Sequence, residues 1–232
     1  MFLYFSDQLI EFYSAFNAFT YITTRGILSA LTALVVSFVF GPKLISLLKG
    51  GKIGEVIRED GPESHSSKQG TPTMGGILIL FSVTISTLIW ADLSNTFILT
   101  ILISMLLFGL IGFIDDYLKL KGNKNGMKAL AKFIFQLGIA FGAMNYLFYA
   151  SGQPISTEVL IPFTNNIMWD VGWLFLPFAM LVIVGSSNAV NLTDGLDGLA
   201  IMPVVMISIA LGIFAYVSGN FNFSSYLDLP FL

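Results

Sequence analysis

Two carboxylates stand side by side at Asp115 and Asp116, inside the segment GFIDDYLKLKGNKNGMK of residues 112–128. Adjacent carboxylates repel, and at the edge of an apolar stretch each is costly unless a cation or hydrogen bonds compensate it. Lys119, Lys121 and Lys124 are the nearest sources of positive charge. A hard cation is the other: Mg2+ takes carboxylate oxygens and completes its octahedron with water and substrate phosphates. The pair is then a metal or phosphate site, or, more plainly, a solvated helix end.

A second constellation repeats every three residues, with Asn188, Asn191, Asp194 and Asp197 in the stretch NAVNLTDGLDGLA of residues 188–200. On an α-helix such a row turns by about 60° per step. A tighter or glycine-broken turn keeps the groups together, and Gly195 and Gly198 permit one. The plain reading is a polar turn that caps the next helix, but a cap needs one such side chain and four are present. A third cluster, REDGPESHSSKQGTPTMGG of residues 58–76, brings Arg58, His65 and Lys68 before a Thr71–Pro72 pair that resembles a helix start. A basic loop near a carboxylate pair suits an anionic phosphate ester. Gly75 and Gly76 suit close helix packing.

The elements that must carry these groups are membrane helices. Of 232 residues, 55% are hydrophobic and 11% charged, far from the composition of a soluble domain. A bilayer core of about 30 Å needs roughly 20 apolar helical residues. Six segments meet that need, 26–48, 74–91, 96–114, 129–150, 171–190 and 199–217, which predicts an all-α integral membrane protein with a single membrane domain over residues 1–232. Pro42 falls inside the first span, and Pro177 predicts a kink in the fifth. A formal net charge of −3 without a basic run argues against nucleic-acid binding. With no cysteine and His65 as the sole histidine, thiolate and multi-histidine metal centres are excluded. The first residues carry no Lys or Arg before Arg25 and so lack the basic start of a signal peptide. Apart from Arg25, every Lys and Arg falls on the first or third connection or its edge. By the positive-inside rule those connections, and the fifth, face the cytoplasm. All three polar clusters then lie at one membrane face, with apolar helices beside them to hold a lipid tail.

GTPTMGG (70–76), GFIDDY (112–117) and NAVNLTDGLDGLA (188–200), in this order and supported by DGPESH (60–65), strongly resemble the phospho-N-acetylmuramoyl-pentapeptide transferases. These belong to the polyprenyl-phosphate N-acetylhexosamine-1-phosphate transferase superfamily. The resemblance implies transfer of phospho-N-acetylmuramoyl-pentapeptide from UDP to undecaprenyl phosphate with Mg2+, giving lipid I and UMP. That is the first membrane step of peptidoglycan synthesis, at the bacterial inner membrane, in cell wall biogenesis and the maintenance of cell shape. By motif match Asp115 and Asp116 are the family's aspartate pair, catalytic and the candidate Mg2+ ligands. Lys68 and Thr73 match loop positions near the uridine, and Asn188, Asn191, Asp194 and Asp197 match the nucleotide-side segment. UDP-N-acetylmuramoyl-pentapeptide, undecaprenyl phosphate and membrane lipid are the partners implied, with a homodimer as the candidate assembly. The family has about ten spans, a later Mg2+-binding aspartate and a histidine-rich loop, so the sequence reads as the N-terminal portion of such a bundle, and residues 1–232 alone are expected not to turn over. Two rival expectations stand beside this one: another polyprenyl-phosphate sugar-1-phosphate transferase, and a cation-coupled membrane transporter.

Overall fold

A computed structural model describes residues 2–50, 74–121, 126–150, 152, 155–161, 168–194, 199–227, 229 and 231. The chain opens with helix α1 (Phe2–Phe12) and a 3-10 segment (Ser14–Thr20). Helices α2 (Ile22–Gly50), α3 (Gly76–Trp90), α4 (Thr96–Leu120) and α5 (Ala129–Asn145) follow, α5 closing in a π-turn (Tyr146–Ala150). A two-stranded antiparallel ribbon of β1 (Glu158–Leu160) and β2 (Met168–Asp170) pairs Val159 with Trp169. Beyond it come α6 (Phe175–Thr193), α7 (Ile201–Ser218) and the short α8 (Phe221–Tyr226). Two compact units are present, Met1–Met180 and Leu181–Leu232.

In the first unit α2 and α3 are joined by hydroxyls, as expected where lipid supplies no hydrophobic drive between helices. Ser29 Oγ and Ser86 Oγ lie 2.6 Å apart, Ser86 Oγ also donates to the Ser29 carbonyl, and Ser37 donates to Ser82 at 2.9 Å. Trp90 Nε1 donates to Thr32 Oγ1 at 2.8 Å while its ring stacks on Phe19, which ties the 3-10 segment to this pair. Between α3 and α4 the contact is steric. A Cβ on Gly109 would come within 2.4 Å of the Leu80 side chain, so any larger residue there would have to displace Leu80. The turn before α4 is built by side chains: Asp92 accepts from the Ser94 hydroxyl and amide, and Asn95 caps α4 by accepting from the amides of Phe97 and Ile98. Large apolar side chains such as Phe38, Ile101 and Leu181 remain outside these contacts, on surfaces that a hydrocarbon phase would cover.

Among the described residues five helical segments are long and apolar enough to cross a bilayer: Ile22–Lys49, Thr96–Leu120, Ala129–Tyr149, Gly172–Thr193 and Ile201–Ser218. The all-α membrane architecture expected from composition is therefore present. Its details differ in three places. The predicted span 74–91 is a 15-residue helix, Gly76–Trp90, because Met74 sits in the left-handed region (φ 69°) and the Asp92–Asn95 turn closes the other end. The predicted span 96–114 runs on to Leu120, so Asp115 and Asp116 stand on the helix rather than at its end. Pro177 is the third residue of α6, in the first turn, where a missing N–H breaks no helical bond and no kink is needed. Pro42, by contrast, lies in the interior of α2, which continues past it.

Candidate active site

The carboxylate pair is organised from the helix upward. Lys119 lies one turn beyond both acids, and at i,i+3 and i,i+4 spacing its ammonium reaches each. Its Nζ is 2.9 Å from Asp115 Oδ2 and 3.1 Å from Asp116 Oδ1. Lys132, on α5, approaches Asp115 Oδ2 at 3.9 Å. The other oxygen of Asp115 accepts the Met127 amide at 2.7 Å, so the chain entering α5 is held against the end of α4. Gly126 makes this closure feasible. Its φ is +63°, and a Cβ there would meet Asp115 Oδ1 at 2.5 Å and Lys119 Cε at 2.9 Å.

The two acids differ in surroundings. The Asp115 side chain is 13% exposed and that of Asp116 37%. Asp116 borders a groove of about 680 Å3 between α3 and α4, whose walls are otherwise largely apolar and include Met74, Ile77, Leu80, Thr84, Leu106 and Phe113. Of the lysines expected to compensate the pair, Lys119 does so, and Lys132 on α5, which was not among them, assists. Lys121 instead lies over the Tyr117 ring, 4.9 Å from its centroid, a cation–π contact that turns it from the acids. Lys124 lies outside the described residues, as do Arg58, His65, Lys68, Thr71, Pro72, Thr73 and Asp197. Lys132 was missed as a partner of the pair, and so were Gly126 and Met127. The only signal of the latter two was a glycine in the polar segment GNKNGMK, where a left-handed residue is common.

In the second unit the Asn188–Asp197 row is not gathered by a tight turn over its first half. Helix α6 continues through Thr193, so Asn188 and Asn191 sit on regular helix and fan apart. Asn188 Nδ2 donates to the Val184 carbonyl at 2.8 Å. Asn191 is exposed, and Asp194 is exposed in the turn that follows. The capping alternative fares no better at the start of α7, whose N-cap is Ala200 without a side-chain cap bond.

Among the described residues no group of three or more His, Cys, Asp and Glu side chains converges as a metal cage. The two carboxylates share one positive partner, the Lys119 ammonium, and the chemistry of such a pair suits a hard cation that brings its own phosphate ligands in that place. The arrangement neutralises negative charge at the mouth of an apolar groove.

The model of glycosyl transferase family 4 matches residues 98–229, more than half of the chain. The chain belongs to glycosyl transferase family 4. Signature 1 of the phospho-N-acetylmuramoyl-pentapeptide transferases matches residues 68–80, and together the two matches mark a phospho-sugar transferase of that type. The family 4 match takes in both the Asp115–Asp116 pair and the Asn188–Asp197 row. The signature runs through Met74, Gly76, Ile77, Ile79 and Leu80, which line the groove that Asp116 borders. Membership argues against the transporter reading, as does the position of the acids one turn from a helix end, since transport sites lie near mid-bilayer at broken helices.

Proposed function

We propose that this protein transfers phospho-N-acetylmuramoyl-pentapeptide from UDP to undecaprenyl phosphate, releasing UMP and forming lipid I, at the cytoplasmic face of the bacterial inner membrane. The observation that carries the reading is the meeting of signature 1 with the acid pair: Met74, Gly76, Ile77, Ile79 and Leu80 of the matched segment line the groove on which Asp116 opens. In the reaction an oxygen of the lipid phosphate attacks the sugar-linked phosphorus. The pyrophosphate bond breaks, and its bridging oxygen leaves with UMP.

Phosphoryl transfer asks chiefly for positioning and for neutralisation of charge. Asp115 and Asp116 would hold Mg2+, which when bound supplies that neutralisation across the phosphates. Lys119 keeps the two carboxylates in register for it. On the motif resemblance, Lys68 and Thr73 would serve the uridine side, and Asn188, Asn191, Asp194 and Asp197 the nucleotide-sugar. The α3–α4 groove is of a size and apolarity that suit part of a prenyl chain. Peptidoglycan synthesis, and with it cell shape, is the process this transfer would serve, and a homodimer is the proposed assembly.

A transferase of the N-acetylglucosamine-1-phosphate kind is the alternative, and signature 1 favours the muramoyl substrate. Membranes carrying the full-length gene product, incubated with radiolabelled UDP-N-acetylmuramoyl-pentapeptide or UDP-N-acetylglucosamine, undecaprenyl phosphate and Mg2+, separate the two. Label should enter the lipid extract from the muramoyl donor, and EDTA should abolish it. Lipid labelling from the N-acetylglucosamine donor alone would reverse the assignment.

A further inference from the structure

We infer that Arg25 and Asp92 form a site for a zwitterionic phospholipid headgroup, in which Arg25 takes the phosphate of a phosphoethanolamine and Asp92 its ammonium. Both stand at the membrane edge remote from the acid pair. Arg25 is in the first turn of α2, and Asp92 opens the turn between α3 and α4, with Asp116 roughly 30 Å further along the α4 axis. The Ser29–Ser86 bond joins α2 to α3 one turn inward of Arg25, which brings Arg25 level with the end of α3. Asp92 accordingly senses it: the Ser94 hydroxyl and amide hold its carboxyl below the ordinary value of 3.8, and the Arg25 charge adds to the effect. Yet the two do not pair. No ion pair joins them among the described residues, and Arg25 Nε is buried without a hydrogen-bond partner. Both Ser94 bonds fall on Asp92 Oδ1, which leaves Oδ2 open.

A buried guanidinium nitrogen without an acceptor is costly, and a ligand that supplies one removes the cost. A simple anion would meet Arg25 but be repelled by Asp92, and a simple cation would leave Arg25 unmet. A headgroup carrying both charges answers both residues. The arginine fork matches phosphate oxygens, and a primary ammonium donates N–H to a carboxylate, which a choline headgroup cannot do and a glycerol headgroup has no charge to do. Arg25 is also the one Lys or Arg outside the first and third connections and their edges, so no other such side chain competes for the phosphate here. The Trp90 ring, stacked on Phe19 with centroids 5.8 Å apart and fixed through Nε1 to Thr32, stands at the same end of α3, where amphipathic rings favour the headgroup level.

The full-length gene product, delipidated in detergent, is titrated with dioleoyl phosphatidylethanolamine, phosphatidylcholine or phosphatidylglycerol, and native mass spectrometry measures the lipid bound. The parent should hold phosphatidylethanolamine about tenfold more tightly than either of the others, the scale of a charge-assisted hydrogen bond. Arg25→Gln should lower that affinity about tenfold. Asp92→Asn keeps an acceptor for Ser94, and so the turn, but should erase the preference over phosphatidylglycerol, because the phosphate contact survives while the ammonium loses its partner. This second variant decides the matter if Arg25→Gln does not fold. Lys43→Gln, further along α2, should leave all three affinities unchanged. Soluble phosphoethanolamine at the same concentrations should not displace the lipid, whose acyl chains anchor it; displacement would assign the site to a soluble phosphate and overturn the lipid as its occupant. Equal binding of the three lipids by the parent, or a preference unchanged in both Arg25→Gln and Asp92→Asn, would overturn the site. Loss of thermal stability in both variants to the same degree with and without phosphatidylethanolamine would show that the two side chains serve each other instead.

Discussion

At the scale of single residues, the pair Asp115–Asp116 states its own problem, because two neighbouring charges beside hydrocarbon demand compensation. The sequence made that demand legible and named Lys119 among its answers. It could not show that Lys121 would choose the Tyr117 face, because both choices are open to a residue on the last turns of a helix. Nor could it show that a main-chain amide from Met127 would complete the shell, since a contact across 12 residues depends on how the chain returns. For the proposed reaction, Asp116→Asn should lower kcat by about a hundredfold or more, the scale for losing one stabilising group at a developing charge. Near-normal turnover in that variant, with Mg2+ still required, would remove Asp116 from the site.

A second residue-scale expectation concerns the ribbon. Asp170 accepts from the Thr157 hydroxyl and the Gly172 amide, and these bonds hold its carboxyl below the ordinary value of 3.8. A lowered folded-state value stabilises the ribbon at pH above the ordinary value, and that support is lost as pH falls through the lowered one. Fluorescence of Trp169, paired to Val159, should thus hold steady from neutral pH down to the ordinary carboxylate range and change below it. In Asp170→Asn the acid-dependent step should vanish, and its persistence would assign it to another group.

At the scale of elements, the hydrophobic runs gave the helices, and their ends required chemistry that runs of apolar residues do not encode. Helix α3 is short because Met74 adopts a left-handed conformation, unusual for a residue with a side chain. Helix α4 is long because its last turn is sustained by the Asp115–Lys119 pair, charged residues that a hydropathy window reads as a boundary. The packing of α3 on α4 leads to a paired prediction. Gly109→Ala places a methyl group against Leu80 and should destabilise the protein by about 1–3 kcal/mol, the range for overpacking. Gly112→Ala, with nothing within 4 Å of its Cβ, should be nearly neutral. Unfolding of the two variants in mixed micelles measures the difference, and equal stability would show that the close approach at Gly109 is not constraining. Removing the α4 cap by Asn95→Ala should destabilise by about 1 kcal/mol in the same assay.

At the scale of the whole molecule, the charge distribution predicts orientation. In a chain free of cysteine, thiols introduced singly at positions 93 and 157 should react with an impermeant maleimide in intact cells, and those at 65 and 123 should not. Labelling of the latter pair from outside would reverse the assignment of the acid pair to the cytoplasm. Family membership was legible from three short motifs in order, because phosphate chemistry at a membrane face restricts which residues can stand there. The purified full-length gene product in nanodiscs tests the central claim most directly, through UMP release measured with and without undecaprenyl phosphate. The account predicts release from UDP-N-acetylmuramoyl-pentapeptide that requires the lipid phosphate, matches the lipid-linked product mole for mole, and is lost in Asp116→Asn. UMP release without the lipid, or undiminished in that variant, would contradict it.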